Sequence, residues 1–297
     1  MIPLKGEVLT YEKGRNEIGW TGGGLSRSGQ PPHEVHSYTE LLQKVASLAY
    51  HNKQYSFLFR GQSQDHMLNA QGEHGIHSSL YPSIFRTAPR IGKRSIDMKF
   101  VYERRFSILA AAEKKLKEIA RLGDISKNQT LRWALLQHYE VCPTPLLDVT
   151  SSLQVALSFA AEVGDDNPIL YVLAVPQITG IVSVSIDAGT EVVRLSQVCP
   201  PEALRPHFQE ASLIGNYPAL EPEDFLRRPQ GKLYLNFAGR LLAKFQLNGC
   251  TTWTQSGFQP TPNIILRPDG KDTYFKLMSE VVIHVRQALN ELDSLLR

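Results

Sequence analysis

The chain has little cysteine. Its 297 residues include three, Cys142, Cys199 and Cys250, set far apart. That spacing makes neither a zinc site nor a disulfide framework, and a reducing cytoplasm is the compartment it fits. No run of about 18 apolar residues occurs, so no membrane span is expected. The opening Met-Ile-Pro-Leu-Lys-Gly lacks the apolar core of a signal peptide. A strong charge of either sign is missing too. The net +3 permits nucleic-acid contact without arguing for it. There is no P-loop, no nucleophile elbow and no glycine-rich dinucleotide fingerprint. His74 and His77 stand near Glu73 in a Gly-bounded loop, but two histidines three apart are too sparse a set to define a metal site. No metal is expected, and the loop 71–77 reads better as a mobile substrate lid.

What is present is ordinary globular material, 42% hydrophobic and 21% charged, long enough to bury a sizeable core. Three zones are visible. Residues 1–35, with Gly22-Gly23-Gly24 and Pro31-Pro32, read as an extended N-terminal arm. Residues 36–215 form the main domain, and residues 216–297 an α+β extension packed on it. Ser37-x-x-Glu40 is a capping box ahead of Leu41, Leu42, Val45, Leu48 and Ala49 at helical spacing. Residues 55–60 are a buried strand. Helices are expected over 97–121, 129–139, 151–162 and 273–296; the last carries Met278, Val282, Val285, Leu289 and Leu292 on one face. Further strands are expected at 146–149, 169–175, 180–186, 192–195, 208–214 and 257–266. Strands this close in sequence imply mainly antiparallel sheets with packed helices.

The most informative stretch is Tyr55-Ser-Phe-Leu-Phe-Arg-Gly-Gln62, an apolar run that ends in one Arg and a Gly. It places a guanidinium at the mouth of a buried strand, where Arg grips phosphate or carboxylate bidentately. Downstream come Leu80-Tyr81-Pro82-Ser83, Arg86, Glu103 before Phe106, and the block from Gln137 to Ala160. Together these resemble the FRG domain, a family named for the triplet seen here as Phe59-Arg60-Gly61. The resemblance covers roughly residues 50–215. The family usually has Gly where this chain has Glu140, Arg where it has Pro145, and Trp where it has Val149. Its members occur mostly in bacterial and phage proteins. Its pattern also looks like that of ADP-ribosyltransferases: an Arg on an early strand, a Ser/Thr cluster opening a helix, and a late strand carrying Gln or Glu.

The resemblance therefore implies an ADP-ribosyltransferase-like α+β fold and an enzyme that uses NAD as substrate. The acceptor would be a macromolecule, whether protein, RNA or DNA, and the setting a toxin or antiviral-defence effector with an antitoxin or chaperone partner. Breaking the ribose–nicotinamide bond passes through an oxocarbenium-like state, as in glycoside hydrolysis. The implied roles fall on Arg60, Gly61 and Gln62 for the cofactor's anionic part. Thr150, Ser151 and Ser152 would hold Arg60 and the ribose, and His138 and Tyr139 would contact a base or ribose. Gln209 or Glu210 would stand near the developing positive charge; on a strand the two point to opposite faces, and Gln209 is the preferred one.

Each has a plainer reading: an Arg60–Asp65 ion pair, a helix cap for the hydroxyls, a C-terminal charge partner for His138, and packing for Tyr81 and Tyr139. Glu103 reads as an ion pair along its helix. Asp148 is either a cap for the Thr/Ser turn or an acid. The alternatives to a transferase are a binding module that kept the fold without the chemistry, and an NAD glycohydrolase.

Overall fold

Residues Ile169–Val175 are buried without interruption, which requires a strand covered on both faces. The structure, a computed structural model, describes residues 9–10, 19–20, 24–69, 76–86, 98–162, 168–219 and 235–296. Its strands are β1 (Leu9–Thr10), β2 (Gly19–Trp20), β3 (His33–Val35), β4 (Tyr55–Gln62), β5 (Met67–Asn69), β6 (Ile76–Ser78) and β7 (Leu147–Thr150). These are followed by β8 (Ile169–Pro176), β9 (Val182–Ser185), β10 (Thr190–Arg194), β11 (Ala211–Asn216) and β12 (Leu241–Leu247). The helices are α1 (Gly24–Gly29), α2 (Tyr38–His51), α3 (Met98–Lys117), α4 (Gln129–His138), α5 (Leu153–Ala161), α6 (Leu195–Val198) and α7 (Leu204–Phe208). Two more, α8 (Asn263–Leu266) and α9 (Thr273–Leu296), follow β12.

Eight strands form one sheet in the order β3-β12-β8-β4-β7-β11-β10-β9. The β3–β12 pair is parallel and the other pairs are antiparallel. The protein is thus α+β, with a mixed, mostly antiparallel sheet and packed helices. Period-two alternation sorts β8 between two cores. Leu170, Val172 and Ala174 join Leu41 and Leu48 of α2 and Ala156, Leu157 and Ala160 of α5. Ile169, Tyr171, Leu173 and Val175 join Leu80, Phe237 and Ala238 on the opposite face. A third cluster gathers α3, α4 and α9 around Leu109, Trp133, Met278, Val281 and Val285. The apolar stripe of α9 is therefore consumed inside this chain.

The capping box on α2 forms with a shift of one residue. Ser37 Oγ accepts from the Glu40 N–H, while Glu40 Oε2 accepts from the His36 N–H rather than from Ser37. Two expected strands are corrected. Residues 257–266 form no strand; α8 stands there, and a tight 3₁₀ turn precedes it at Cys250–Ser256. Pro260 and Pro262 withhold two of the N–H donors that a ladder needs. Residues 208–214 are not one strand: Phe208 ends α7, Gln209 and Glu210 make a turn, and β11 begins at Ala211. The sequence reading missed β12, which lies inside the sheet although it belongs to residues 216–297. It also missed β3 and α1, which fall within the proposed arm. There Arg27 Nε donates to the Leu241 carbonyl at 3.0 Å, tying α1 to β12. The proposed lid at 71–77 lies outside the described residues except for Ile76 and His77, which belong to β6.

Candidate functional site

Strand β7 sits between β4 and β11, with Thr150 opposite Phe59 on one side and Ala211 on the other. Helix α5 leaves the end of β7 and crosses β4 at very short range. A Cβ on Gly61 would lie 1.8 Å from the Ala156 carbonyl oxygen. The glycine of the triplet is there because a helix backbone occupies the space of any side chain.

At this crossing a cavity of about 290 Å³ opens. From β4 it takes Phe59, Arg60 and Gly61, and from α4 and the turn after it Gln137, His138 and Glu140. β7 contributes Asp148 and Thr150, and α5 with its end Ala156, Phe159 and Glu162. Arg205, Gln209 and Arg267 close it from later in the chain. Three arginines and three carboxylates thus share one concave surface.

The charges are ordered. Arg60 donates through one terminal nitrogen to the Asp148 backbone carbonyl at 2.6 Å, while its Nε is buried without a partner among the described residues. Burial, with the like charge of Arg86 adding to it, lowers the Arg60 pKa to about 10 against the pull of Asp148 and Tyr171. Asp148 Oδ2 accepts from Gln137 Nε2 at 2.8 Å, and Oδ1 meets His138 Nδ1 at 3.3 Å. Burial raises the Asp148 pKa, but the hydrogen bond and charge of His138, the Arg60 charge and the Gln137 amide outweigh it, leaving it below the usual carboxylate range. An ionised carboxylate only accepts, so Nδ1 carries the proton. Among the described residues His138 Nε2 and Arg205 Nε are also buried without partners. Arg205 pairs with Glu140, and Arg267 with Glu162. Arg267 also lies over the Phe159 ring, 5.6 Å from its centre.

Several expected site residues therefore meet. Arg60, Gly61, His138, Thr150 and Gln209 all line the cavity. The hydroxyls do not sit as expected. Thr150 does not hold Arg60. Its hydroxyl donates to the Gln209 carbonyl at 2.7 Å and accepts from the Ser152 N–H at 3.0 Å, which ties β7 to the turn before β11. Ser152 is the α5 cap, its hydroxyl accepting from the Val155 N–H. Ser151 is exposed and donates to Glu210 Oε2 at 3.3 Å.

Strand alternation does not decide between Gln209 and Glu210, because neither is on a strand. The turn decides: Gln209 is buried and lines the cavity, its amide donating to the Leu266 carbonyl at 2.7 Å. Glu210 has a positive φ of 43°, is exposed and lies outside the lining.

Gln62, Ser151, Ser152, Tyr81 and Tyr139 are also outside the lining. The Tyr139 hydroxyl donates to Asp272 at 2.9 Å, in a buried node that also caps α9 at Tyr274 and Phe275. The Arg60–Asp65 pairing is excluded, because Asp65 takes Lys244 at 2.6 Å and the Tyr171 hydroxyl at 2.8 Å. Glu103 pairs with Lys99 along α3, away from the cavity. Cys142 and Cys199 are buried, with thiol pKa values pushed up to about 12 by desolvation, so neither is an available nucleophile.

Sequence reasoning missed Gln137, Arg205, Arg267, Glu162 and Phe159 as cavity residues. Glu140 had a signal. Its φ is 56°, a conformation that favours glycine, and the family's usual Gly at this position has that physical reason. Arg205 and Arg267 had none, because they arrive by tertiary contact.

Residues 55–167 match the FRG domain family. The match spans Arg60, His138, Glu140, Asp148 and Thr150 and stops short of Arg205, Gln209 and Arg267. No curated protein and no solved structure matches the chain.

Proposed function

We propose that the cavity binds NAD and that the protein transfers its ADP-ribosyl group to a macromolecular acceptor. One observation carries the reading. Two side-chain donors, Arg60 Nε and Arg205 Nε, are buried without partners among the described residues, in side chains that line one cavity. An unmade hydrogen bond at a buried polar atom costs about 1–3 kcal/mol, so two unpaired guanidinium donors in one place fit a ligand rich in acceptor oxygens. A pyrophosphate and ribose hydroxyls supply such acceptors, and Phe59 and Phe159 offer apolar surface to a flat ring. The volume, about 290 Å³, holds part of a dinucleotide, whose remainder extends beyond it. In the reaction the bond from ribose C1′ to nicotinamide breaks, and the pyridinium leaves as a neutral base. Asp148, Glu140 and Glu162 are the carboxylates on the cavity wall, where negative charge stabilises the oxocarbenium-like state.

A second reading, a binding module without turnover, is favoured by one feature. Glu210 lies outside the cavity and the Gln209 amide is engaged by Leu266, so the turn before β11 offers no free carboxylate.

The test is labelled NAD with purified protein and cell lysate, followed by protease or nuclease digestion of the products. Transfer of label to protease- or nuclease-sensitive material supports the proposal. Free ADP-ribose alone indicates a glycohydrolase, and binding without consumption indicates the module. Arg60→Ala is expected to weaken NAD binding by about 1.5–3 kcal/mol with the fold retained. Unchanged affinity in that variant removes Arg60 from the site. Gln209→Ala is expected to impair NAD consumption and Glu210→Ala to spare it; the reverse order refutes the orientation described above.

A further inference from the structure

The pair formed by His138 and Asp148 has a form that ligand binding alone does not require. His138 ends α4 and is 4% exposed. Its Nδ1 faces Asp148, and its Nε2 is buried without a partner among the described residues. Asp148 is itself held at both oxygens, by the Gln137 amide and by the ring. With the proton fixed on Nδ1 by an ionised carboxylate, Nε2 presents a lone pair. A base oriented by a third group, in a side chain that lines a cavity and whose second nitrogen is unpaired among the described residues, is the arrangement of a proton acceptor.

We infer that His138 is the general base that deprotonates the incoming acceptor, with Asp148 as its positioning residue. The inference rests on the transferase reading and specifies the acceptor's chemistry: a group X–H whose proton must leave, such as a hydroxyl, an amine or water. X forms a bond to C1′ as the C1′–nicotinamide bond breaks. The bonding pair goes to the nicotinamide nitrogen and cancels its positive charge. The proton of X–H moves to His138 Nε2, and the imidazolium that forms lies against the Asp148 carboxylate. Oxidation states do not change, and no further reactant is needed.

The charged groups that share the cavity with the ring are Asp148 from β7, Arg60 from β4, Glu140 from the turn after α4, Glu162 from the end of α5, Arg205 from α7 and Arg267 from the end of α8, and Arg86 acts on Asp148 and Arg60 from beyond it. Tyr139 lies edge-on, its ring centre 5.8 Å away, with its hydroxyl engaged by Asp272. Among the described residues Asp148 is the group in hydrogen-bond contact with the ring.

The experiment uses the full chain and NAD itself, with affinity measured by calorimetry. Nicotinamide release is measured in lysate at saturating NAD across pH. The wild-type rate is expected to show a limb that rises with pH to a plateau. His138→Gln is expected to bind NAD within about threefold of wild type, to lose a factor of about 10² or more in rate, and to lose the rising limb. Asp148→Asn retains the backbone carbonyl that holds Arg60, and it is expected to move the limb to lower pH, because the imidazolium loses its anion. A limb that survives in His138→Gln, or a loss of affinity with an unchanged maximal rate, overturns the base assignment while the transferase reading stands. A wild-type protein that binds NAD without releasing nicotinamide overturns both, and one that binds no NAD overturns the site reading as a whole.

Discussion

Gly61→Ala tests the close approach of α5 to β4. The added Cβ would meet the Ala156 carbonyl oxygen at 1.8 Å, the Ala156 carbonyl carbon at 2.8 Å and the Ala160 nitrogen at 2.9 Å. All three are backbone atoms of α5, so no side-chain rotation relieves the clash. Ordinary carbon–oxygen contact begins at about 3.3 Å, so α5 must retreat by about 1.5 Å. That retreat loosens Val155, Ala156, Leu157 and Ala160, which α5 buries. Overpacking costs about 1–3 kcal/mol, and an immovable obstacle places this site at the upper end. Alanine's own advantage over glycine in a strand returns about 0.5–1 kcal/mol. The net loss is expected to be about 2–2.5 kcal/mol, a fall of roughly 4–10 °C in Tm.

Two other glycines calibrate the experiment. A Cβ at Gly215 would meet the end of the Leu146 side chain at 2.6 Å, an obstacle that yields, and about 1 kcal/mol is expected there. A Cβ at Gly270 meets nothing within 4 Å, and a change within about 0.5 kcal/mol is expected. Urea unfolding with unchanged slopes gives the three differences directly. A Gly61→Ala protein as stable as Gly270→Ala would refute the account of why this triplet ends in glycine.

Three further outcomes are expected. Glu140→Gly relieves a left-handed backbone at φ 56° and should raise stability by about 1 kcal/mol, since the lost pair to Arg205 involves a carboxylate side chain that is 69% exposed; a drop in urea midpoint would show the ion pair to dominate. Ser152→Ala should cost about 1 kcal/mol as the loss of the α5 cap, while Ser151→Ala, at an exposed hydroxyl, stays within about 0.5 kcal/mol; equal losses would contradict the assigned cap. Asp148 has a folded pKa below its unfolded value of about 3.9, so its contribution is complete above that value and lost as pH falls through the folded one. Unfolding midpoints from about pH 6 to about pH 3 should therefore fall less steeply in Asp148→Asn than in wild type, and parallel curves would deny the shift.

Local chemistry was legible in the sequence because it depends on neighbours along the chain. The 3.6-residue apolar period marked α2 and α9, and the Phe-Leu-Phe run before Arg60 marked β4. The grouping of Arg60, His138, Thr150 and Gln209 was legible too, through resemblance, and the cavity brings these four together. Tertiary structure alone decided the rest. Whether Gln209 or Glu210 faces the cavity follows from a turn, where the period-two rule lapses, and from the Leu266 carbonyl that accepts the Gln209 amide. Arg205 and Arg267 have no local pattern, since each reaches the cavity from an element joined to it only by packing. The pairing of His138 with Asp148 depends on the end of α4 packing against β7. Side-chain type records what a residue can do; the neighbours that fix its proton, its charge and its exposed face come from distant segments of chain.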